Sequence, residues 1–287
     1  MKYSEFKKDG EIYIHKYYDE NLINESSLLV DGTIDLHNPR KMRWFSPWDI
    51  SQMLRFMIAL NWTKNYFLSL KEKRIMTIID FGCSWSQFYA YWRYNCNYFG
   101  WPKISYHGVD GNKKRLIGGR KNIIPKRNDR FNHYLANLTK PIKMPYKGDV
   151  IVCLETIEHI EREKVPFLFD NIKRNLKNNG IVILSSPNPK RKEGEEWVWK
   201  NESCGSHKYE WSFEEIIPLV ESNGFKVAKR CGITPRREYK SRSSYSDIIK
   251  NMASLFPTSI INSMFVTVED MNLSKMWMML LQKRSEK

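Results

Sequence analysis

The chain has 287 residues, 41% of them hydrophobic and 14% aromatic, enough to bury a substantial core. Its 47 basic against 32 acidic residues leave a formal net charge of +15, which draws anionic partners and says nothing of fold. No apolar run approaches the roughly 18 residues of a membrane span, MKYSEFKKDGEIYIHKYYDE lacks the apolar core of a signal peptide, and the five scattered cysteines contain no C-x-x-C pair. A soluble, cytoplasmic protein without a disulfide framework or zinc knuckle is expected.

Residues 1–74 read as an N-terminal helical lid or extension. Within them SPWDISQMLRFMIALNWTKNYF announces a helix through Ser46, Pro47 and Asp49, with Met53, Leu54, Phe56, Met57 and Leu60 available for one apolar face. Residues 75–234 alternate short apolar strands with amphipathic helices, the pattern of a mainly parallel sheet covered on both faces. The strands are MTIIDFG (76–82), KISYHGVD ending at Asp110, DVIVCLE and IVILSSP, with KVAKRCGI resuming the sheet later. A helix is predicted from Arg162 to Leu176, stopped by Asn178, Asn179 and Gly180. Another is predicted over WSFEEIIPLVESNGF, where Ser212 and Glu215 are spaced as a capping box. Residues 235–272 read as an insertion capping the substrate side. Residues 273–287 hold the last strand, KMWMMLLQKR, and a tail.

Two stretches concentrate positive charge: Lys113–Arg130 carries eight basic residues against one aspartate, and Arg236–Arg242 carries four. Such runs serve either as solvated faces or as nucleic-acid contacts. Interleaved aromatics (Trp85, Tyr89, Tyr91, Trp92, Tyr94) are core material at helical spacing, whereas Trp197 and Trp199 sit in a charged loop and are expected to be exposed. Either set is chemically able to stack bases or sugars.

The chemistry concentrates at the ends of strands. In DVIVCLETIEHI an apolar strand runs into two carboxylates and a histidine; if the backbone turns helical after Leu154, then Glu155, Glu158 and His159 stand at i, i+3 and i+4 on one face. Open α/β sheets bind ligands at this carboxyl end. The alternative is an ordinary helix start with acidic residues placed for its dipole. After the first strand of this region, Asp80-Phe-Gly-Cys-Ser-Trp-Ser86 sits where a nucleotide-binding loop belongs. Asp110, at the next strand end, is placed to accept hydrogen bonds from ribose hydroxyls, and Gly82 lets the backbone approach a ligand. The loop lacks the later glycines of G-x-G-x-x-G, which points to an adenosine cofactor other than NAD.

DFGCS, GVD, LETIEH and SSPNP, in this order, resemble the class I S-adenosylmethionine-dependent methyltransferases, an α/β Rossmann-like fold with a mainly parallel seven-stranded sheet. The resemblance implies S-adenosylmethionine as cofactor, with Asp80, Gly82 and Ser84 at its methionine end, Asp110 at the ribose, Asn137 near the adenine, and Cys83 and Leu154 also among the cofactor-binding residues. Ser84 and Ser86 stand where glycines are expected, and Asn137 where aspartate is common. The serines are expected to weaken cofactor affinity, and Asn137 alters the adenine contact.

Locally, Glu155-Thr-Ile-Glu158-His159, Ser186-Pro-Asn188 and His207-Lys-Tyr-Glu-Trp211 resemble the small-RNA 3'-terminal 2'-O-methyltransferases; the E-x-x-E-H strand end also resembles ubiquinone-pathway O-methyltransferases. The former resemblance implies a divalent cation (Mg²⁺, Mn²⁺ or Co²⁺) on Glu155, Glu158, His159 and His207, a mixed O/N donor set suited to such ions. His159, Glu158 and His207 are then the catalytic candidates, with an imidazole not bound to metal available to take the acceptor's proton. The partner implied is an anionic substrate, RNA with a 3'-terminal ribose, and no oligomeric state is indicated. Metal-dependent methylation of a sugar, glycan or other small hydroxyl compound is the second reading, and a catalytically degenerate basic binding module the third.

Overall fold

The computed structural model describes residues 5–18, 47–70, 74–99, 101–125, 129–189, 207–235 and 271–284. Trp197, Trp199, the Arg236–Arg242 run and nearly all of the 235–272 insertion lie outside these residues. The strands are β1 (Phe6–Asp9), β2 (Ile12–His15), β3 (Met76–Phe81), β4 (Ile104–Asp110), β5 (Arg130–Leu135), β6 (Gly148–Leu154), β7 (Leu176–Pro187), β8 (Phe225–Pro235) and β9 (Ser274–Lys283). The helices are α1 (Pro47–Ser69), α2 (Gln87–Phe99), α3 (Lys113–Asn122), α4 (Val165–Asn175) and α5 (Phe213–Ser222). Among the described residues no helix is long and apolar enough to cross a membrane.

One sheet holds all nine strands in the order β1-β2-β5-β4-β3-β6-β7-β9-β8. Its seven-stranded part, β5 through β8, is the expected Rossmann-like sheet: parallel from β5 to β7, with β9 inserted antiparallel between β7 and β8. The order reverses between β3 and β6, so a crevice opens beyond their carboxyl ends. The β1–β2 hairpin is an addition. It extends the edge through a short parallel pairing of Tyr13 and Ile14 with Tyr134 and Leu135.

Side chains alternate across the central strands. Ile79, Ile151 and Cys153 face a core shared with Leu168, Phe169 and Ile172 of α4 and with Ile216 and Val220 of α5. Ile78, Val150 and Val152 face the other core, with Phe56 and Leu60 of α1 and Phe88, Tyr89 and Trp92 of α2. Burial on both faces explains why these strands read as continuous apolar runs. Tyr89 and Trp92 are therefore core, whereas Tyr94 is exposed. On α1, Phe56, Ala59 and Leu60 point inward, but Met57, expected on the apolar face, is largely exposed.

Local signals placed two boundaries differently from the chain. Asn178, Asn179 and Gly180 do not end a helix in a loop; α4 ends at Asn175 and β7 begins at once. A register shift against β6, where Gly148 faces Leu176 but Val150 faces Ile181, absorbs the extra residues. The α4 asparagines are structural. Asn171 accepts from the Ile142 N–H and donates to the Leu138 and Lys140 carbonyls, while Asn175 accepts from Met144 N–H and donates to the Ile142 carbonyl. They pin the loop between β5 and β6 against α4. At the opposite end of β6 from the crevice, the buried Asp149 carboxylate is held by Arg74, Lys177 and the Thr77 N–H.

Candidate active site

The loop after β3 forms the floor of the crevice. Gly82, Ser84 and Ser86 all adopt left-handed backbone, with φ of 76°, 48° and 62°. The geometry normally supplied by glycines is thus present, built with serines at two of three positions. A Cβ on Gly82 would fall 2.0 Å from Thr156 Oγ1, so only glycine fits there. That contact joins the β3 loop to the loop after β6. Trp85 is not a free stacking platform: its ring lies over Gly118 of α3, where an added Cβ would overlap it.

Asp110 organises the loop. One carboxylate oxygen accepts the Ser84 N–H at 2.8 Å and the other the Asn112 N–H at 2.7 Å, so the residue expected at the ribose also sets the turn beside it. Burial raises its pKa, and the backbone donors offset part of the rise. Asp80 is buried and accepts a 2.6 Å hydrogen bond from the Tyr106 hydroxyl. Its pKa is raised to about 7, first by burial; the Tyr106 bond lowers it, the Asp110 charge raises it and Arg55 lowers it. Cys83 sends its thiol into the core below the loop, so only its backbone is placed toward the crevice. Ser86 Oγ is 2.7 Å from His133 Nε2, and burial keeps His133 neutral with a pKa near 3. Ser84 Oγ, by contrast, is buried without a hydrogen-bond partner. An orphaned hydroxyl, a glycine that excludes Cβ and an acid at the next strand end together fit an adenosine cofactor. Asn137 accepts from both the N–H and the hydroxyl of Thr139, so part of its acceptor capacity holds its own turn.

The E-x-x-E-H segment does not continue as an α-helix. Glu155 has φ of 49°, and only Ile157–His159 form one turn of 3₁₀ helix. The i, i+3, i+4 helical face is therefore replaced by a kink in which Glu155 leaves β6 in left-handed conformation, a strained state for a non-glycine residue. Glu155 accepts a 2.8 Å hydrogen bond from Ser185 Oγ and pairs with Arg55 of α1 at 3.5 Å. Glu158 is buried, accepts from Ser186 Oγ at 3.2 Å, and uses its carbonyl to accept the Lys208 and Tyr209 N–H groups. Those two backbone bonds carry the His207 segment to the strand end.

Ligand atoms of Glu158, His159 and His207 all lie within 4.8 Å of one another. Their rings and carboxylate meet from segments about fifty residues apart, the two imidazoles edge to face at 4.9 Å. Glu155 is outside this trio, its carboxylate being engaged by Ser185 and Arg55. The Glu158 pKa is pushed well up, by burial first and the Glu155 charge second. A buried pair of acids facing two imidazoles is an arrangement a cation would relieve. His207 Nδ1 is 2.7 Å from Glu210 Oε1, which leaves Nε2 for a ligand, as outer carboxylates do for metal-binding histidines. Glu210, Arg55, Thr156 and Tyr106 escaped sequence reasoning. Only Glu210 carried a local signal, its three-residue spacing from His207.

A family model described as a methyltransferase domain matches residues 52–230, more than half of the chain. The chain belongs to the methyltransferase domain family. It is 34% identical over 70 residues to a ubiquinone biosynthesis O-methyltransferase of Rickettsia typhi, a match that spans 24% of this chain and 28% of that relative. Among solved structures, the methyltransferase domain of bacterial CtHen1-C has a TM-score of 0.54 at 15% identity, covering 82% of this chain and 100% of that one. The small RNA methyltransferase HEN1 scores 0.53 at 16% identity and covers 82% of this chain but only 26% of that chain. Magnesium protoporphyrin IX methyltransferase from Synechocystis PCC 6803, with bound S-adenosylhomocysteine, scores 0.50 at 12% identity, covering 83% and 84%. At these identities the methyltransferase shares their fold.

Proposed function

We propose that this methyltransferase transfers the methyl group of S-adenosylmethionine to a hydroxyl oxygen with the help of a divalent cation, and that its acceptor is the 3'-terminal ribose of an RNA. The observation that carries the cation is the convergence of Glu158, His159 and His207 at the end of β6. These three would hold it, with Glu155 as a fourth ligand once its ion pair opens. When bound, a divalent cation lowers the pKa of a hydroxyl on it and fixes the position of its oxygen.

The residues do the rest by placement. Transfer from a sulfonium needs an in-line oxygen and little covalent help, so orientation is the main contribution. Asp80, Gly82, Ser84 and Asp110 orient the cofactor along the strand ends; Cys83 through its backbone, with Asn137 and Leu154, completes the lining. Glu210 fixes the His207 ring. His159, exposed at the rim, is the imidazole placed to pass a proton to solvent if it is not bound to metal.

The RNA acceptor is supported by the chain's charge and by the position of α3, whose first turn brings Lys113 and Lys114 next to Asn112 and the Asp110 site. Not all of the basic run is available: Lys113 pairs with Asp9 at 3.4 Å and Arg120 donates to the Phe131 carbonyl, which leaves Lys114 exposed beside the site. The likeness in fold to the small RNA methyltransferase HEN1 agrees with an RNA substrate. A sugar, glycan or other small hydroxylated acceptor is the second reading, favoured by the O-methyltransferase match of Rickettsia typhi. Labelled methyl transfer to short RNAs separates them. Loss of labelling after periodate cleavage of the terminal diol supports the ribose acceptor, while labelling confined to sugars or glycans transfers the assignment to the second reading.

A further inference from the structure

We infer that Arg55 is an exchangeable counter-ion which holds the Glu155 carboxylate until a divalent cation and the cofactor displace it, so that the two ligands bind cooperatively. The inference rests on the proposed cation site. Arg55 comes from α1, one hundred residues before Glu155, and its side chain is largely buried against that residue. Its Nη1 lies 3.5 Å from Glu155 Oε2, a loose pairing beyond hydrogen-bond length. Its Nε is buried and has no hydrogen-bond partner. The charges of Glu158 and Asp80 also act on the guanidinium, whose carbon lies 4.9 Å from the centre of the Phe56 ring. A side chain with five donors, buried among three acids yet paired loosely with one, is arranged to be shared among them.

The charges make the exchange directional. A divalent ion on Glu158, His159 and His207 would compete with Arg55 for Glu155, since both neutralise the same carboxylate. The displaced guanidinium then needs an anion. Asp80, with a pKa of about 7, offers only a partial charge at neutral pH, whereas the carboxylate of the cofactor's methionine end, next to Asp80, offers a full one and a bidentate partner. Arg55 thus links the two ends of the site. Each ligand favours the position of Arg55 that the other requires, and such coupling must be reciprocal.

The test is Mn²⁺ binding followed by calorimetry and by electron paramagnetic resonance, with S-adenosylhomocysteine, with 5'-methylthioadenosine (which lacks the carboxylate), or with neither. Wild-type protein is expected to bind Mn²⁺ about tenfold more tightly with S-adenosylhomocysteine, and without that gain with 5'-methylthioadenosine. In Arg55→Gln the ion should bind about tenfold more tightly than to wild type in the absence of any nucleoside, and the nucleoside should then change its affinity by less than about twofold. A merely structural role predicts weaker Mn²⁺ binding in the variant. Should Arg55→Gln fail to fold, the comparison of the two nucleosides on wild type decides alone. Equal Mn²⁺ affinity with both nucleosides overturns the exchange while leaving the cation site standing. No Mn²⁺ binding by wild type overturns both.

Discussion

The two loop serines provide a paired test, because they share a strained backbone and differ in what their hydroxyls touch. Ser84 and Ser86 both sit at left-handed φ, which costs a side-chain-bearing residue roughly 1–2 kcal/mol each. Glycine removes that strain but returns about 0.5–1 kcal/mol through the greater freedom of the unfolded chain. At position 84 the hydroxyl is buried without a partner, and deleting an unsatisfied polar group recovers about 1–3 kcal/mol. Ser84→Gly is therefore expected to stabilise the cofactor-free protein by on the order of 2 kcal/mol, about 4–8 °C in Tm for a chain of this size. At position 86 the hydroxyl is bonded to His133, whose other ring nitrogen is already buried without a partner. Leaving that imidazole unsatisfied costs about 1–3 kcal/mol, so Ser86→Gly should lose about 1 kcal/mol, or a few degrees. Thermal unfolding of both variants without ligand, then with saturating S-adenosylhomocysteine, is the assay. Ser84→Gly should show a smaller ligand-induced shift than wild type, the reverse of what a serine in a glycine position suggests from sequence, since the orphaned hydroxyl is the one left to meet the cofactor. Shifts of the same sign for both variants, or a destabilised Ser84→Gly, would refute the reasoning.

Other consequences follow from buried acids. Deprotonated Asp80 is the form able to hold a cationic group of the cofactor, and its pKa of about 7 makes affinity for S-adenosylhomocysteine rise with pH through neutrality; Tyr106→Phe, by removing a hydrogen bond that lowers this pKa, should move the midpoint of that rise upward, and an unmoved midpoint would detach Asp80 from cofactor binding. Asp149→Ala should cost about 2–3 kcal/mol, because the Thr77 N–H loses its acceptor along with the Arg74 and Lys177 pairs. The folded-state pKa of Asp149 is depressed, so its contribution is present above the unfolded carboxylate pKa near 4 and lost as pH falls through the folded value. Urea unfolding at pH 7 and at pH 2–3 checks this: the gap between wild type and variant should close in acid, and a constant gap would mean that the ion cluster is not its source.

Much of the architecture was legible because it is written locally. β3, β4, β6 and β7 are largely buried on both faces, and acids at or just beyond the ends of three of them, Asp80 near the end of β3, Asp110 at the end of β4 and Glu155 after β6, break those runs. The His207 segment was also readable, since its residues stand together. What escaped was whatever depends on pairing across long separations. Arg55 looks like one charge on an amphipathic helix until α1 packs beside β6. The β1 sequence, Phe-Lys-Lys-Asp, has too little apolar alternation to announce a strand, and it is held by β2, which in turn rests on β5. The kink at Glu155 was missed because E-x-x-E-H spacing suits an α-helix equally well. Tertiary contacts decided otherwise: the Glu155 N–H bonds to the Ser185 carbonyl, and Thr156 fills the space above Gly82. Likewise Asn178-Asn179-Gly180 carries helix-stop chemistry, but the register shift against β6 accommodates it within a strand.

Methyl transfer by this protein is proposed to require a divalent cation held by Glu158, His159 and His207. The most direct test of that requirement is transfer of labelled methyl from S-adenosylmethionine to a short RNA with a free terminal diol, with EDTA or with added Mn²⁺, in wild type and in Glu158→Gln. Transfer by wild type is expected to stop with EDTA and return with Mn²⁺, and Glu158→Gln is expected to show none although it still binds S-adenosylhomocysteine. Transfer that proceeds equally with chelator and with Mn²⁺ would contradict the requirement.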